Sequence, residues 1–557
     1  MRKPPGQFMI RVSVSTALVA AFLLSPAMAA GETPQIIRFD GGAYDRAGAI
    51  TVDGVGNSYL AGAVDEGGGG SSFAVVKLGP DGTVRWTARY NGSRGGVGGQ
   101  ANAVVVDAAG NVYAAGYIGD GVIFNTNYDY LVVKFGPDGT QRWAQRYDGP
   151  GVNSDFAEQV VVDAAGNVYV TGFSYGADFD YDWATLKFAA DGTQRWERRL
   201  DAPGRSDDRA ADMALLPDGN VVVSGVTQPG GEQFPDNDAE TVAYDPQGTI
   251  VWQARWSDTS ASHEFVFDLD VDASGRIAIT GTTQENTSPY VPPFPLTLRY
   301  DAGGALLQTI RSDGGASVDV DAAGNVFVAG TFVTSPSTVA KFSASGARVW
   351  FAPLTVGAGD ALSWPFVAAD SAGAVTVAGT VSDTSTGAGD YLTIRFAPDG
   401  RELWRHRFGG VADPGQQDQV AGVAIDAAGA ALVTGTSWNG YFSIGGTATD
   451  IVTLKFGAGT APALIAPGQL DATGVSSSQI RLRWQDNAGT EDGFRIERCA
   501  GTGCTAFAQI AVVGHDVTSY LDSGLARNTA HSYRVRAFNA AGVSAYSNTA
   551  TAKTRRK

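Results

Sequence analysis

Short segments in which apolar and polar residues alternate recur along most of the chain, and each ends in a glycine-containing turn. In the stretch Val-Val-Val-Asp-Ala-Ala-Gly-Asn-Val-Tyr-Ala-Ala-Gly at 104–116, two apolar runs flank a turn sequence. Alternation places successive side chains on opposite faces of a strand, whereas a helix would repeat its apolar residues every three to four positions. The pattern predicts an all-β chain of short antiparallel strands.

The same pattern occurs eight times between residues 45 and 456, which indicates one repeated structural unit. The glycine that ends the second strand recurs every 49 to 56 residues, at Gly62, Gly116, Gly172, Gly225, Gly281, Gly330, Gly379 and Gly435. A third strand, a turn and a fourth strand follow it. The fourth strand usually begins with tryptophan, at Trp86, Trp143, Trp196, Trp252, Trp350 and Trp404. Each unit is therefore predicted to have four antiparallel strands.

The two ends of the repeat region predict how it closes. The eighth unit stops after its third strand at 453–456, and the sequence Arg-Phe-Asp-Gly at 38–41 matches fourth-strand sequence such as Arg-Tyr-Asp-Gly at 146–149. A ring hides its sheet edges, whereas an open solenoid needs caps. The sequence therefore predicts an eight-bladed β-propeller over residues 34–457, in which the N-terminal strand closes the last blade.

The motif Val-x-Val-Asp-x-x-Gly-Asn-x-Tyr-x-x-Gly, followed by Lys-Phe-x-x-Asp-Gly-x-x-x-Trp, resembles the SBBP family of bacterial β-propeller repeats over residues 35–457. The resemblance implies a scaffold without a defined activity or site. The fifth unit departs from the motif, because Leu306 and Leu307 stand where tryptophan is expected.

A linker at 458–466 separates the repeats from residues 467–554, which resemble a fibronectin type III domain. Trp484 ends an alternating apolar strand and Tyr533 begins a segment of another. They occupy the positions of that family's core tryptophan and corner tyrosine, so the resemblance implies that both are packing residues. It also implies a spacer or binding module.

The first thirty residues predict a signal peptide. Positive residues precede a short apolar run, and Ala-Met-Ala follows at 27–29. The run is short for a membrane span, so we expect a secreted or periplasmic protein without one. Export to an oxidising compartment predicts a disulfide between the chain's two cysteines, Cys499 and Cys504.

The net charge limits the kinds of molecule that the protein can bind. Lys+Arg is 40 and Asp+Glu is 57, giving a formal net charge of −17. Nucleic acid is excluded, because its binding depends on neutralising phosphates with basic side chains. Such a surface favours solubility and attracts cations or basic partners, and we expect a monomer. No cofactor signature is present, apart from two runs of alternating aspartates that could hold calcium, at Asp178, Asp180 and Asp182 and at Asp268, Asp270 and Asp272. The alternative is that both runs are solvated or belong to turns.

Acidic residues recur eight positions before the turn aspartate in five of the units. They are Asp45, Asp155, Glu264, Asp313 and Asp418. In a propeller they would ring one mouth of the central channel, and the aromatic residues of the loops after the second strand would reach the same face, among them Tyr117, Tyr175 and Trp438. Aromatic rings stack on sugars, and carboxylates accept hydrogen bonds from sugar hydroxyls. The alternative is that the acids only cap backbone amides within each unit.

Two functional classes remain open. The first is a secreted, non-catalytic binding or adhesion protein that uses one propeller face to bind an extracellular glycan, protein or cation. The second is an extracellular carbohydrate-active enzyme, a hydrolase or lyase, with its site at the channel mouth. The sequence favours the first class, because no repeat carries a cluster of His, Lys or Arg of the kind a catalytic site needs.

Overall fold

The computed structural model describes residues 33–556, except for 43, 66–70, 91–97, 120–126, 203–206, 229–236, 259–261, 286–292, 314, 331–336, 358, 384–386, 410–417, 444–445, 458–465, 488–492, 515–516 and 540–541. The predicted signal peptide and all but one residue of the predicted linker lie outside this set. Within the described residues, all regular secondary structure is β-strand, which confirms the all-β prediction. In the same described part, no helix has the length and apolar character needed to cross a membrane.

The repeat region forms eight four-stranded sheets. Strand β1 (Gln35–Phe39) precedes the first unit in the sequence and belongs to the eighth sheet. The first four units contain β2 (Arg46–Val52), β3 (Ser58–Asp65), β4 (Ser71–Leu78), β5 (Val84–Tyr90), β6 (Gly99–Val106), β7 (Val112–Gly119), β8 (Tyr128–Phe135), β9 (Gln141–Tyr147), β10 (Asp155–Val162), β11 (Val168–Tyr175), β12 (Tyr181–Phe188), β13 (Gln194–Leu200), β14 (Arg209–Leu215), β15 (Val221–Thr227), β16 (Asp238–Tyr244) and β17 (Ile250–Trp256).

The last four units contain β18 (Ser262–Val271), β19 (Ile277–Glu285), β20 (Phe294–Tyr300), β21 (Leu306–Ile310), β22 (Ser317–Val320), β23 (Val326–Gly330), β24 (Thr338–Phe342), β25 (Arg348–Pro353), β26 (Asp360–Ala369), β27 (Val375–Asp383), β28 (Gly389–Phe396), β29 (Glu402–Phe408), β30 (Gln419–Ile425), β31 (Ala431–Ser443) and β32 (Gly446–Phe456).

The turn between the first two strands explains the Asp-x-x-Gly-Asn motif. In the third unit, Oδ1 of Asp163 accepts hydrogen bonds from the amides of Ala165 and Asn167, both at 2.9 Å, and Oδ2 accepts one from the Asn167 side chain. Gly166 has a φ of 80°, a conformation that glycine adopts without steric cost. The motif therefore fixes a tight hairpin at this position.

The eighth sheet contains both ends of the repeat region. Strand β1 pairs antiparallel with β32, with Ile37 opposite Thr453, and the strand order is β1-β32-β31-β30. The first strand of each unit contacts the first strand of the next, and β2 also contacts β30. Apolar side chains fill the space between neighbouring sheets, as where Val132 packs with Val168. Burying such a side chain is worth about 1.5–3 kcal/mol.

The tryptophan of the fourth strand connects each unit to the next. Nε1 of Trp86 donates a hydrogen bond of 2.9 Å to the carbonyl of Pro137, in the third turn of the second unit. A Cβ atom on Gly139 in that turn would lie 2.8 Å from the Trp86 ring, so the two motif residues fit each other. Four more tryptophans donate in the same way, namely Trp143, Trp196, Trp252 and Trp350.

The fifth unit places glutamine at the tryptophan position. Gln308 lies opposite Arg299 in the sheet, just as Trp196 lies opposite Lys187 in the third unit. Gln308 also donates a 3.0 Å hydrogen bond to the carbonyl of Gly346 in the next unit. The expectation that Leu306 and Leu307 occupy the tryptophan position is therefore wrong, because Gln308 occupies it.

The C-terminal region forms two sheets from β33 (Gly468–Gly474), β34 (Gln479–Gln485), β35 (Gly493–Ala500), β36 (Ala508–Gly514), β37 (Ser519–Ser523), β38 (Ala530–Asn539), β39 (Gly542–Val543) and β40 (Ala550–Lys553). The strand orders are β33-β34-β37 and β36-β35-β38-β39, with β40 paired to β38. Trp484 and Tyr533 are buried in one core that both sheets share. A disulfide joins Cys499 and Cys504, as predicted, with their Cα atoms 6.0 Å apart.

Candidate functional site

Six aromatic rings form a continuous row at one end of the second and third sheets. Each ring contacts the next, with centroid distances of 5.0–5.4 Å. In spatial order they are Tyr128, Tyr117, Phe156, Phe173, Tyr181 and Tyr175. All six are half-buried, so each ring packs on its neighbours and keeps part of its surface exposed. We call this set the aromatic strip.

The register of the third sheet aligns the strip. Phe156 lies opposite Phe173 where β10 pairs with β11, and Tyr175 lies opposite Tyr181 where β11 pairs with β12. Gly172 lies inside β11 and not at its end, where the sequence pattern predicts it, and it permits this arrangement because a Cβ atom there would lie 2.1 Å from the carbonyl oxygen of Phe156. The repeat glycine therefore brings two strands close together and sets their aromatic side chains side by side.

A positive charge lies at the centre of the strip. The guanidinium of Arg209 lies 4.8 Å from the centroid of Phe173 and 5.1 Å from that of Tyr181, both within cation–π range. Arg209 also pairs with Asp207 at 3.2 Å. Nearby, burial raises the pKa of Glu158 to about 7, and the charge of Arg209 opposes that rise. The strip therefore combines apolar rings with a cation and an acid that titrates near neutrality.

The structure brings together two of the three aromatic residues in the predicted site. Tyr117 and Tyr175 belong to the aromatic strip. Trp438 does not, because its side chain is buried, at 3% exposure, and its amide donates to Asp418. The part played by Phe156 and Tyr181 could not be predicted from the loops after the second strand, since these two residues lie at the starts of β10 and β12.

The acids of the predicted ring are buried. Asp155, which is 1% exposed, accepts hydrogen bonds from the amides of Gly149 at 2.9 Å and Tyr175 at 3.0 Å. Gly149 follows the fourth strand of the preceding unit, and Tyr175 ends the second strand of the same unit. Asp45 likewise accepts from the amides of Gly41 and Asp65. The bonds to Gly149 and Gly41 tie one unit to the next, and burial encloses the carboxylates.

Asp208 belongs to this set and Asp313 does not. Asp208 accepts from the amides of Ala202 at 2.6 Å and Gln228 at 2.8 Å, matching Asp155. Asp313 instead pairs with Arg348 at 2.8 Å. Sequence counting missed Asp208, because Leu216 rather than an aspartate takes the first corner of the turn in the fourth unit. The acids that accept from backbone amides in this way are therefore Asp45, Asp155, Asp208, Glu264 and Asp418.

Both aspartate runs take part in larger arrangements. Ligand oxygens of Asp178, Asp180 and Asp182 lie within 4.8 Å of one another, and those of Asp182 also lie within that distance of Asp201 and Asp208. In the other run, Asp268, Asp270 and Asp272 each accept hydrogen bonds from different groups.

The second run contributes carboxylates to the contacts between first strands. Oδ2 of Asp270 accepts from the amide of Val320 in the next unit at 2.8 Å, while Asp272 pairs with Arg276. Burial raises the pKa of Asp270 to about 8, and the charge of Asp319 acts in the same direction. Asp270 therefore joins the fifth unit to the sixth, whereas Asp272 pairs within its own unit.

Residues 465–553 match the family model of the fibronectin type III domain, so the chain contains that domain at its C-terminal end. Among proteins of known function, an α-amylase of Niallia circulans is 41% identical over 96 residues, which are 17% of this chain and 7% of the amylase. The chain thus spans well under two thirds of that relative.

Among solved structures, an Fn3-like protein from Clostridium thermocellum is 24% identical and covers 16% of this chain and 94% of its own, with a TM-score of 0.15. The FN5 domain of Drosophila Lar is 22% identical and covers 16% of this chain and 97% of its own, with the same TM-score.

Proposed function

We propose that this chain is an exported, non-catalytic binding protein that holds an extracellular glycan against the aromatic strip. In this proposal the eight four-stranded sheets form a closed eight-bladed propeller of the SBBP type, and the strip lies on one of its faces. The fibronectin type III domain serves as a spacer or as a second binding module. Export follows from the signal peptide that the sequence predicts at residues 1–30.

Two observations support the closed ring. Strand β1 supplies the fourth strand of the eighth sheet, so the two ends of the repeat region meet in one ladder. The first strand of the first unit contacts the first strand of the eighth, as the first strands of consecutive units contact each other elsewhere. An open solenoid would leave those two units apart, with unpaired edges.

The observation that carries the glycan proposal is the row of six half-buried rings. Exposed apolar surface rimmed by polar groups marks a binding surface more often than an accident of folding. Tyrosine and phenylalanine offer large, rigid faces at low entropic cost, and tyrosine adds a hydroxyl that can reach a polar partner. A row of aromatic rings flanked by Arg209 and Glu158 suits a ligand with apolar ring faces and hydroxyl edges, which is the chemistry of a sugar chain.

The match to part of an α-amylase makes α-glucans the first ligands to test. The purified chain is run through native gels that contain soluble starch, glycogen, xylan or alginate, and each mixture is also assayed for new reducing ends and unsaturated sugars. We expect retardation by at least one polysaccharide without product. Tyr117→Ala should abolish retardation. Phe294→Ala should preserve it, since Phe294 is an exposed ring at the start of β20, away from the strip.

Unretarded migration in every gel would contradict glycan binding. Release of reducing ends or unsaturated products would instead establish the carbohydrate-active enzyme, and equal retardation of both variants would remove the strip from the binding surface.

A further inference from the structure

Five carboxylates form two overlapping groups at the edge of the third unit. Asp178 and Asp180 lie in the turn between β11 and β12, Asp182 is in β12, Asp201 follows β13, and Asp208 precedes β14. Asp182 belongs to both groups of oxygens that lie within 4.8 Å of one another. Asp180, Asp182 and Asp208 are buried, and the other two are exposed. The cluster is therefore closed on one side and open to solvent on the other.

The hairpin backbone turns the alternate aspartates inward. Phe179 has a φ of 77°, and its carbonyl accepts a 3.0 Å hydrogen bond from the hydroxyl of Tyr175. The amide of Gly176 donates to the carbonyl of Asp180 at 2.7 Å. A Cβ atom on Gly176 would lie 2.6 Å from Oδ1 of Asp178 and 2.8 Å from Oδ2 of Asp182, so both carboxylates face the space beside this glycine.

Asp182 supplies an observation independent of the cluster itself. Its side chain is 3% exposed, and Oδ2 pairs with Arg199. Its Oδ1 is buried and accepts no hydrogen bond from any residue that the structure describes. A buried carboxylate oxygen without a donor costs free energy unless something positive contacts it. Arg199 therefore compensates one oxygen of Asp182, and the other, buried oxygen is left for a further cation.

We propose that Asp178, Asp180, Asp182, Asp201 and Asp208 form a calcium site at the edge of the third unit. Ca²⁺ accepts about six to eight oxygen ligands in flexible geometry, whereas Mg²⁺ requires a near-ideal octahedron and keeps most of its water. Five carboxylates on three separate segments suit the larger ion. The ion ties the hairpin to the two strand ends and fixes Tyr175 and Tyr181 at the end of the aromatic strip.

The second unit offers a matched comparison. Asp129, Asp148 and Asp155 form the equivalent three-carboxylate group, and Asp129 pairs with Arg146 as Asp182 pairs with Arg199. The sequence differs where the hairpin contributes, because Asn125 and Asn127 stand four and two residues before Asp129, where the third unit has Asp178 and Asp180. Neutral amides bring less charge, so we expect the third unit to bind calcium far more tightly than the second.

The experiment is calcium titration calorimetry on the full mature chain after removal of metals with a chelator, with Mg²⁺ titrated in parallel. We expect one calcium site, a calcium-dependent rise in melting temperature and weaker binding of Mg²⁺. Asp182→Asn and Asp178→Asn should each weaken calcium binding by about tenfold or more, because ligand charge sets affinity. Asp129→Asn should leave it unchanged.

Absence of calcium binding at about 1 mM, the weak end of extracellular sites, would overturn the proposal. So would an Asp178→Asn protein that binds as tightly as the wild type. Asp178 is exposed, so that variant decides the question even if Asp182→Asn fails to fold. The readout does not involve a glycan, and calcium binding in a protein that binds no polysaccharide would leave this site standing while the glycan proposal falls.

Discussion

The guanidinium of Arg209 lies 4.8 Å from the centroid of Phe173, and it joins the fourth unit to the aromatic strip of the third. A partly exposed cation–π contact is worth about 0.5–1 kcal/mol. Arg209→Gln should lower the free energy of unfolding by that amount in a denaturant titration. The control is Arg85→Gln, which removes an exposed ion pair with Asp81 and should leave the midpoint unchanged. Equal midpoints for both variants would show that the contact contributes nothing.

Strand β1 should be essential for the cooperative unfolding of the repeat region. Deleting residues 34–41 removes the partner of β32 and leaves its edge unpaired. We expect a broad, non-cooperative melt or aggregation by light scattering. A protein that starts at Thr33 keeps the strand and should melt like the mature chain. An unchanged melting temperature after the longer deletion would refute the closing role of β1.

Alanine substitutions at two turn glycines distinguish the cost of backbone strain from the cost of disturbing the Trp86 ring. Gly139 and Gly219 have φ values of 80° and 89°, and a Cβ on Gly139 would contact Trp86, whereas a Cβ on Gly219 would meet nothing within 4 Å. Alanine at either position adopts the left-handed conformation at a cost of about 1–2 kcal/mol. Gly139→Ala should lose about 1 kcal/mol more, because the Trp86 ring and its hydrogen bond to Pro137 must shift. Equal unfolding free energies for the two variants would contradict the packing role of the tryptophan.

The repeat and its turns could be predicted from the sequence because they depend on local spacing. The turn aspartate, the following glycine and the tryptophan each act within one unit or on the adjacent turn. The aromatic strip depends on contacts across sheets, so Phe156 and Tyr181 carried no local signal. Asp208 was missed for a different reason. In its unit Leu216 takes the turn position that aspartate takes in the other units, so counting back from the nearby Asp218 ends two residues away from Asp208.

Buried carboxyl groups should make the folded state less stable as the pH rises. The pKa of Asp270 is about 8 in the folded protein, against an ordinary value of 3.8, because of burial and the nearby Asp319. The folded state therefore binds more protons than the unfolded state, and its stabilisation is lost between about pH 4 and pH 8. Asp270→Asn removes this titration, so the melting temperature of the variant, measured without calcium, should fall less steeply from pH 5 to pH 8. An equal or steeper fall in the variant would contradict the assignment.

Binding at the aromatic strip is tested most directly by calorimetry with the polysaccharide that retards the wild type in gels. Phe173 lies at the centre of the strip, where truncation removes the most contact with a ligand. We expect Phe173→Ala to raise the dissociation constant by about tenfold or more, which is about 1.4 kcal/mol, while Phe294→Ala leaves it unchanged. Equal dissociation constants for wild type and Phe173→Ala, with both proteins folded by circular dichroism, would contradict the account.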